Sequence, residues 1–225
     1  MVAATARARA ALILLALLGA ARASAGAIEG EVLVEPADLA IRDTSKPNPY
    51  VGQLSASARA ETAATVDTAY GVAWVADPAS DRELPPPPAR MDQVGQRFVP
   101  RILAVVAGQT VEFHNSDNVY HNIFSYSPPK RFDLGRYPKG KSRSVTFVKP
   151  GAVQVYCDIH SDMRADIIVA PSRRFALIGR SGRFRIEGVP AGTHTVKVWL
   201  PSSGERVASI DVSERGAVSL LPLGP

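Results

Sequence analysis

The sequence predicts an all-β protein built from two β-sandwiches. Short runs of alternating apolar and polar residues recur along most of the chain, and this period of two is typical of half-buried strands. The 225 residues include 18 Pro and 17 Gly, which divide these runs into short segments. Strands so short and so evenly interrupted favour antiparallel sandwiches over α/β units, and no segment has the pattern of a long helix.

The first predicted strands lie at residues 28–34, "IEGEVLV", and 70–76, "YGVAWVA". Residues 42–63 between them have no sustained period and are predicted to be a loop. Four consecutive prolines at residues 85–88 remove backbone donors and favour a stiff, extended connector. We therefore place a domain boundary at this run.

From residue 98 onward the strand pattern is more regular. The segment "RILAVVAGQTVEFHN" predicts two strands around Gly108, and "KSRSVTFVKPGAVQVYCDIH" predicts two more around a turn at 149–151. Val155 and Cys157 share a face of their strand, so the thiol is predicted to point towards the core. Further strands are predicted at 164–170, with three within 174–201 and two within 207–223.

Residues 1–25 have the composition of a cleaved secretory signal peptide. Two arginines precede an apolar run at residues 11–20, and the small residues "ASA" at 23–25 suit a cleavage site. An uncleaved anchor would need about 20 apolar residues, and Arg22 interrupts the run. Cleavage removes three arginines and no acid, so the formal charge falls from +5 to +2. The mature protein is predicted to be periplasmic, with no membrane span.

The cysteine and histidine counts exclude several classes of protein. A single cysteine, Cys157, cannot form a disulfide within the chain, a CxxC redox pair or a four-cysteine metal site. Four histidines with no His-x-His pair are too few for a multicopper oxidase or for a second, catalytic copper. The protein is therefore predicted not to be an enzyme. A free thiol in an exported chain is a liability unless something occupies it.

A copper site would occupy that thiol. The heptapeptide "CDIHSDM" contains Cys157, His160 and Met163, and His121 comes from an earlier loop. Two imidazoles, one thiolate and a weak axial thioether form the ligand set of an electron-transfer copper site. We predict one type 1 copper ion at these four residues, in a protein that transfers single electrons between redox partners.

Two other functions use the same residues. A periplasmic carrier or sensor would hold Cu(I) without transferring electrons, and a structural or adhesion module would keep a vestigial site. The other two histidines are not predicted ligands: His114 has the outward position on its strand and is expected to be exposed, and His194 lies at a turn and is expected to have a structural role.

Six cations lie between the two ligand segments and face only Asp133. A solvated loop and a docking patch for an acidic redox partner both account for them. No aromatic-interleaved motif accompanies this charge, so nucleic acid is not a predicted partner. The six are Lys130, Arg131, Arg136, Lys139, Lys141 and Arg143.

The copper segments resemble the cupredoxin family of blue copper proteins. "VEFHNSDNVYHNIFS" is similar to the segment that carries the first His followed by Asn, and "KPGAVQVYCDIHSDM" is similar to the Cys-x-x-His-x-x-Met segment, most like that of the amicyanin and plastocyanin type. The resemblance implies a Greek-key β-sandwich at residues 85–170. It also implies that Asn122 ties the two ligand loops together. Ile159 departs from the family pattern, which has Pro before the second His.

The flanking segments carry a second resemblance. "IEGEVLV", "GVAWVA" and "GRSGRFRIEGVPAGTHTVKVW" are similar to parts of a carboxypeptidase-regulatory-like, transthyretin-type sandwich. This implies a carrier sandwich formed by residues 26–84 and 171–225, with the copper domain inserted in it or packed beside it. Proteins with such a layout include some labelled methylamine-utilisation proteins, which implies a dehydrogenase or a cytochrome as the redox partner.

Overall fold

The computed structural model describes residues 26–40, 69–77, 86–213 and 218–219. The predicted signal peptide and the predicted loop at 42–63 lie outside these ranges. Within them the chain forms strands joined by turns, and its one helix is the five-residue Pro36–Ala40. The prediction of an all-β fold is confirmed. No helix in the described ranges has the length and apolarity needed to cross a lipid bilayer.

The strands are numbered in chain order. They are β1 (Gly26–Glu31), β2 (Gly71–Val75), β3 (Ala89–Gln93), β4 (Phe98–Val99), β5 (Ile102–Val106), β6 (Gln109–Asn115), β7 (Phe124–Ser125), β8 (Phe132–Asp133), β9 (Ser142–Phe147), β10 (Gly151–Tyr156), β11 (Arg164–Ala170), β12 (Phe175–Ile178), β13 (Arg183–Val189), β14 (Gly192–Leu200), β15 (Gly204–Val212) and β16 (Val218–Ser219).

Two sheets enclose the larger hydrophobic core. One has the strand order β5-β11-β10-β7-β8, and the other has the order β4-β3-β6-β9. Alternate residues point inward, as Val153 and Val155 of β10 and Ile167 of β11 do, and all three are fully buried. Cys157 belongs to the same core, as its position in the strand pattern predicts. We call this pair of sheets the central sandwich.

The other two sheets enclose a second core. Their orders are β13-β1-β16 and β12-β2-β14-β15, so each combines strands from before and after the central sandwich in the chain. Ile28 and Ile186 from one sheet meet Val196 and Val198 from the other. We call this pair the flanking sandwich.

A third cluster joins the two sandwiches. Strand β2 is buried on both faces: Ala73 and Val75 point into the flanking core, and Val72 and Trp74 point the other way. Trp74 and Trp199 pack there against the outer face of β5 and β11. The four sheets therefore form consecutive layers, with aromatic and aliphatic side chains filling the space between the sandwiches.

Most neighbouring strands are antiparallel, but three pairs are not. β3 with β6, β5 with β11, and β1 with β16 are parallel. The prediction of antiparallel sandwiches is therefore wrong for these pairs. Parallel neighbours need a crossover connection. The chain supplies one where it leaves a sheet, forms strands of another sheet and then returns to the first. A local alternation pattern cannot predict such a return.

Candidate metal centre

Two loops at one end of the central sandwich carry the candidate ligands. His121 follows β6, and its backbone pairs with Tyr137, which donates to the His121 carbonyl at 2.8 Å. Cys157 directly follows β10, and its N–H donates to the Met163 carbonyl at 3.2 Å. The Met163 N–H in turn donates to the His160 carbonyl at 3.0 Å. These backbone bonds close the "CDIHSDM" loop and fix it relative to its strand.

Three donor atoms face one another across these loops. The Nδ1 atoms of His121 and His160 are 3.0 Å apart, and the Cys157 Sγ lies 3.9 Å from the first and 3.7 Å from the second. A triangle with these sides has a centre about 2.1 Å from each corner, which matches the ~2.0–2.3 Å of metal bonds to imidazole and thiolate. No other such group of His, Cys, Asp and Glu occurs among the described residues.

Met163 shares the core of the cysteine. It is 1% exposed and packs in the same cluster as Cys157. Because the backbone of Met163 closes the ligand loop, the residue is held close to the site whether or not its thioether binds a metal. Axial ligation by Met163 remains a prediction.

His121 is held from behind by Asp117, which the sequence analysis did not identify. The Asp117 carboxylate accepts a hydrogen bond from the far ring nitrogen, Nε2, at 2.9 Å. It also accepts from the backbone N–H groups of Gly95 at 2.6 Å and Gln96 at 2.8 Å. A carboxylate on the far nitrogen leaves Nδ1 free to face the thiol, and such partners orient and strengthen histidine ligands. The Asp-x-x-x-His spacing is the only local signal of this contact.

Asn122 links the two ligand loops through its side-chain amide. Its carbonyl oxygen accepts from the Asp158 N–H at 2.7 Å, and its amide nitrogen donates to Asp133 at 3.1 Å. The first of these bonds joins the residue after His121 to the residue after Cys157. The contact is the one that the cupredoxin resemblance implies for this residue.

Burial, hydrogen bonds and neighbouring charges shift the pKa values of the three candidate ligands. Burial raises the pKa of the Cys157 thiol, but hydrogen bonds from His121 and from three backbone N–H groups lower it below its usual value. Burial lowers the pKa of His121, yet its hydrogen bonds to Asp117 and Cys157 raise that pKa to about 9. The pKa of His160 is lowered by burial and by the neighbouring charge on His121. Both shifts favour the charged forms of the Cys157 thiol and the His121 ring, and a metal ion that binds these atoms must displace their protons.

The site is enclosed on one side and reaches solvent on the other. His121 is fully buried and Cys157 is 5% exposed, whereas His160 is half-buried beside the exposed Ile159. The donor set fits copper, because a thiolate and imidazoles together satisfy both Cu(I) and Cu(II). An enclosed thiolate is also protected from oxidation and disulfide exchange.

The two remaining histidines lie away from this group. His114 makes a 2.9 Å hydrogen bond to the Ser142 hydroxyl on the outer face of the central sandwich. His194 contacts Asp77 at 2.8 Å and the Pro190 carbonyl at 2.8 Å in the flanking sandwich. His194 thus has the structural role expected of it, whereas His114, which was expected to be exposed, is half-buried and bonded to the neighbouring strand β9.

Comparisons with known proteins found structural neighbours only. No protein-family model and no curated protein matches the chain. A Cu-containing nitrite reductase from Thermus scotoductus is 30% identical, with a TM-score of 0.36, over 42% of this chain and 25% of its own. A purple cupredoxin from Nitrosopumilus maritimus is 24% identical, with a TM-score of 0.33, over 36% and 99% of the respective chains. A reduced amicyanin variant is 22% identical, with a TM-score of 0.35, over 43% and 97%.

Proposed function

We propose that the protein is a periplasmic type 1 copper protein of the cupredoxin kind, which transfers single electrons between redox proteins. The observation that carries the proposal is the convergence of His121, Cys157 and His160, whose donor atoms lie 3.0 to 3.9 Å from one another. When bound, copper supplies a one-electron couple. The signal-like composition of residues 1–25 supports export. The chain has too few further histidines for a second, catalytic copper, which supports an electron carrier over an enzyme.

The residues around the site favour a rigid geometry. Asp117 holds the His121 ring by its far nitrogen, and Asn122 holds the second loop against the first. Because both ligand loops are bonded to each other and to the sandwich, the donor atoms have little freedom to move when the charge at the site changes. Little movement means a small reorganisation cost, which is what an electron-transfer site needs. Met163 would act as the axial ligand in this arrangement.

The exclusion of water supports the same function. The Cys157 sulfur lies in the large core of the central sandwich, and His160 is the candidate ligand with the most access to solvent. A buried thiolate is accessible to electrons but poorly accessible to substrates.

Voltammetry and metal transfer distinguish this function from copper carriage. Electron transfer predicts a reversible one-electron wave, rapid self-exchange between oxidised and reduced protein, and retention of copper when an apo-acceptor with higher Cu(I) affinity is added briefly. A copper carrier predicts slow self-exchange and rapid loss of copper to that acceptor. The second result would replace the proposed function with copper carriage.

A further inference from the structure

The outer face of the five-stranded sheet is covered over only half its width. Ile102 of β5 and Ile168 and Ala170 of β11 pack against the flanking sandwich. The outward residues of β10 continue this face beyond the contact, where Gln154 is exposed and Tyr156 is half-buried. Ala152 at the start of β10 still packs against the layer between the sandwiches, whereas the rest of β10, together with β7 and β8, lies beyond that contact in the described part of the chain.

Aromatic rings line this uncovered half. The Phe124 ring lies 5.8 Å from the Tyr156 ring and 5.3 Å from the Tyr126 ring, measured between centroids. Tyr126 is 76% exposed, the largest value among the exposed hydrophobic side chains of the described residues. Ser127, Pro128 and Gln154 complete a shallow groove around these rings. We call it the aromatic groove.

Cations border the groove at the β7–β8 hairpin. In this hairpin Phe124 is opposite Asp133, and Ser125 is opposite Phe132. The next opposed pair along the hairpin is therefore Tyr126 and Arg131. Side chains at opposed positions lie on the same face of the sheet. Arg131 is exposed, and the turn next to it carries Lys130. Neither cation belongs to an ion pair described for this part of the structure.

The structure divides the six cations between the ligand segments into two groups. Three already have partners: Arg136 pairs with Asp158 at 3.0 Å, Lys139 donates to Asn118 at 2.8 Å, and Arg143 lies over the Tyr137 ring. Of the other three, Lys130 and Arg131 lie at the groove, and Lys141 directly precedes β9.

The acids near the groove are already engaged. The Asp133 carboxylate accepts from the Asn122 side chain and from the Gly135 N–H at 2.9 Å. Asp158 is paired with Arg136. Both donors are neutral, so Asp133 keeps its negative charge, but Lys130 and Arg131 together outweigh it. The rim of the aromatic groove therefore has a net positive charge, and a face with negative charge would complement it.

We propose that the aromatic groove and its cationic rim form the docking surface for an acidic face of the redox partner. Exposed Tyr side chains in a pocket, bordered by Arg, have the composition of a protein-interface hot spot. Tyr156 directly precedes Cys157, so a protein seated in the groove lies beside the strand that carries the thiol. This inference rests on the proposed electron-transfer function for the identity of the partner, but the docking itself can be measured separately.

Cytochrome c provides a matched pair of probes, because the native protein is basic and its succinylated form is acidic with the same haem. Binding of each form to the copper-loaded protein is measured by NMR chemical-shift titration at low ionic strength. We expect the succinylated form to bind and to shift the amide signals of residues 124–131, with affinity that falls as salt is added. Native cytochrome c should bind much more weakly.

Three variants locate the site. Arg131→Glu and Tyr126→Ala should each weaken binding of the succinylated form by about tenfold, which corresponds to about 1.4 kcal/mol. Arg180→Glu makes the same charge change at an exposed residue between β12 and β13 of the flanking sandwich and should alter the affinity by less than about twofold, because that residue does not line the groove. Unchanged far-ultraviolet circular dichroism shows that each variant is folded.

The proposal is overturned if succinylated cytochrome c does not bind, or if Arg180→Glu weakens binding as much as Arg131→Glu does. The second result would show that net charge, and not the groove, drives association. Haem reduction is followed in the same complexes. Binding at the groove without electron transfer would overturn the proposed function and leave the docking surface in place.

Discussion

Asp117 determines how His121 is presented to the thiol. An imidazole has two nitrogens, and a ligand site needs one of them to face the metal in a fixed direction. With three donors, from His121, Gly95 and Gln96, the Asp117 carboxylate is itself immobile. The orientation of the ring therefore depends on a residue four positions earlier in the chain.

Asp117→Asn should weaken metal binding while leaving the three ligands in place. Loss of the negative charge makes His121 a poorer ligand, and changes to such supporting residues reduce metal affinity by about 10–100-fold. Co(II) titration followed by the thiolate-to-cobalt absorption measures this. Asp162→Asn, an exposed acid in the "CDIHSDM" loop, is the control and should bind Co(II) as the wild type does. Equal affinity in the two variants would contradict the role given to Asp117.

The candidate ligands and the role of Asn122 between their loops could be predicted from sequence, whereas the support from Asp117 could not. Cys157, His160 and Met163 lie within seven residues, so their chemistry is apparent without a structure. Asp117 is one of 21 acidic residues in the chain, and nothing in its side chain distinguishes it from the others. Its role arises from a ring orientation and two backbone amides that only the fold brings together.

At the level of elements, the turn between β12 and β13 depends on a glycine. Gly182 has φ of +78°, and its carbonyl accepts from the Val32 N–H at 3.0 Å, next to the end of β1. A Cβ built on Gly182 would lie 1.9 Å from the Val32 carbonyl oxygen. The close approach of these two backbones therefore requires the absence of a side chain.

Gly182→Ala and Gly188→Ala separate backbone strain from steric overlap. Gly188 has a similar φ of +70° but no atom within 4 Å of its built Cβ. Gly188→Ala should lower the free energy of unfolding by about 1–2 kcal/mol, which is the cost of holding an alanine in the left-handed conformation. Gly182→Ala should cost about 1–3 kcal/mol more, because β1 or the turn must also move. Urea unfolding of both variants measures the difference, and equal losses of stability would show that the contact with Val32 is unimportant.

Strand length decided which elements could be predicted. β11 occupies residues 164–170 as predicted, because the apolar run at 167–170, rich in β-branched residues, forms a clear signal. β7 and β8 have two residues each, which is too short for a period, and the prediction did not include them. Those two strands nevertheless carry one side of the aromatic groove, so the groove could not be anticipated from the pattern.

On the scale of the whole molecule, the layer between the sandwiches holds the central sandwich, which carries the candidate ligands, against the flanking sandwich. Both tryptophans of the chain are there, and Trp74 is 2% exposed. Their burial makes the flanking sandwich a support for the outer face of the five-stranded sheet. The order of the sheets depends on which sheet packs against which face. The alternation pattern within one strand shows that a face is buried but does not show which sheet buries it. The domain boundaries at residues 85 and 170 remain predictions.

Trp74→Ala should destabilise the protein without changing the metal site. Removing a buried Trp costs about 3–5 kcal/mol, since the cavity left behind only partly collapses. The visible spectrum of the copper-loaded folded protein should be unchanged, because Trp74 belongs to a different cluster from Cys157. Leu177→Ala, at a residue of β12 that is 50% exposed, is the control and should cost far less. An altered spectrum, or equal losses of stability, would contradict the supporting role of the layer.

The central claim is that His121, Cys157 and His160 hold a single copper ion together. Optical and electron paramagnetic resonance spectra of the copper-loaded protein beside Cys157→Ser test it most directly. The wild type should show an intense thiolate-to-Cu(II) absorption and a narrow copper hyperfine splitting, and both should be lost in Cys157→Ser because oxygen cannot replace the covalent sulfur bond. The same weakly coloured, tetragonal Cu(II) signal from both proteins would contradict the claim.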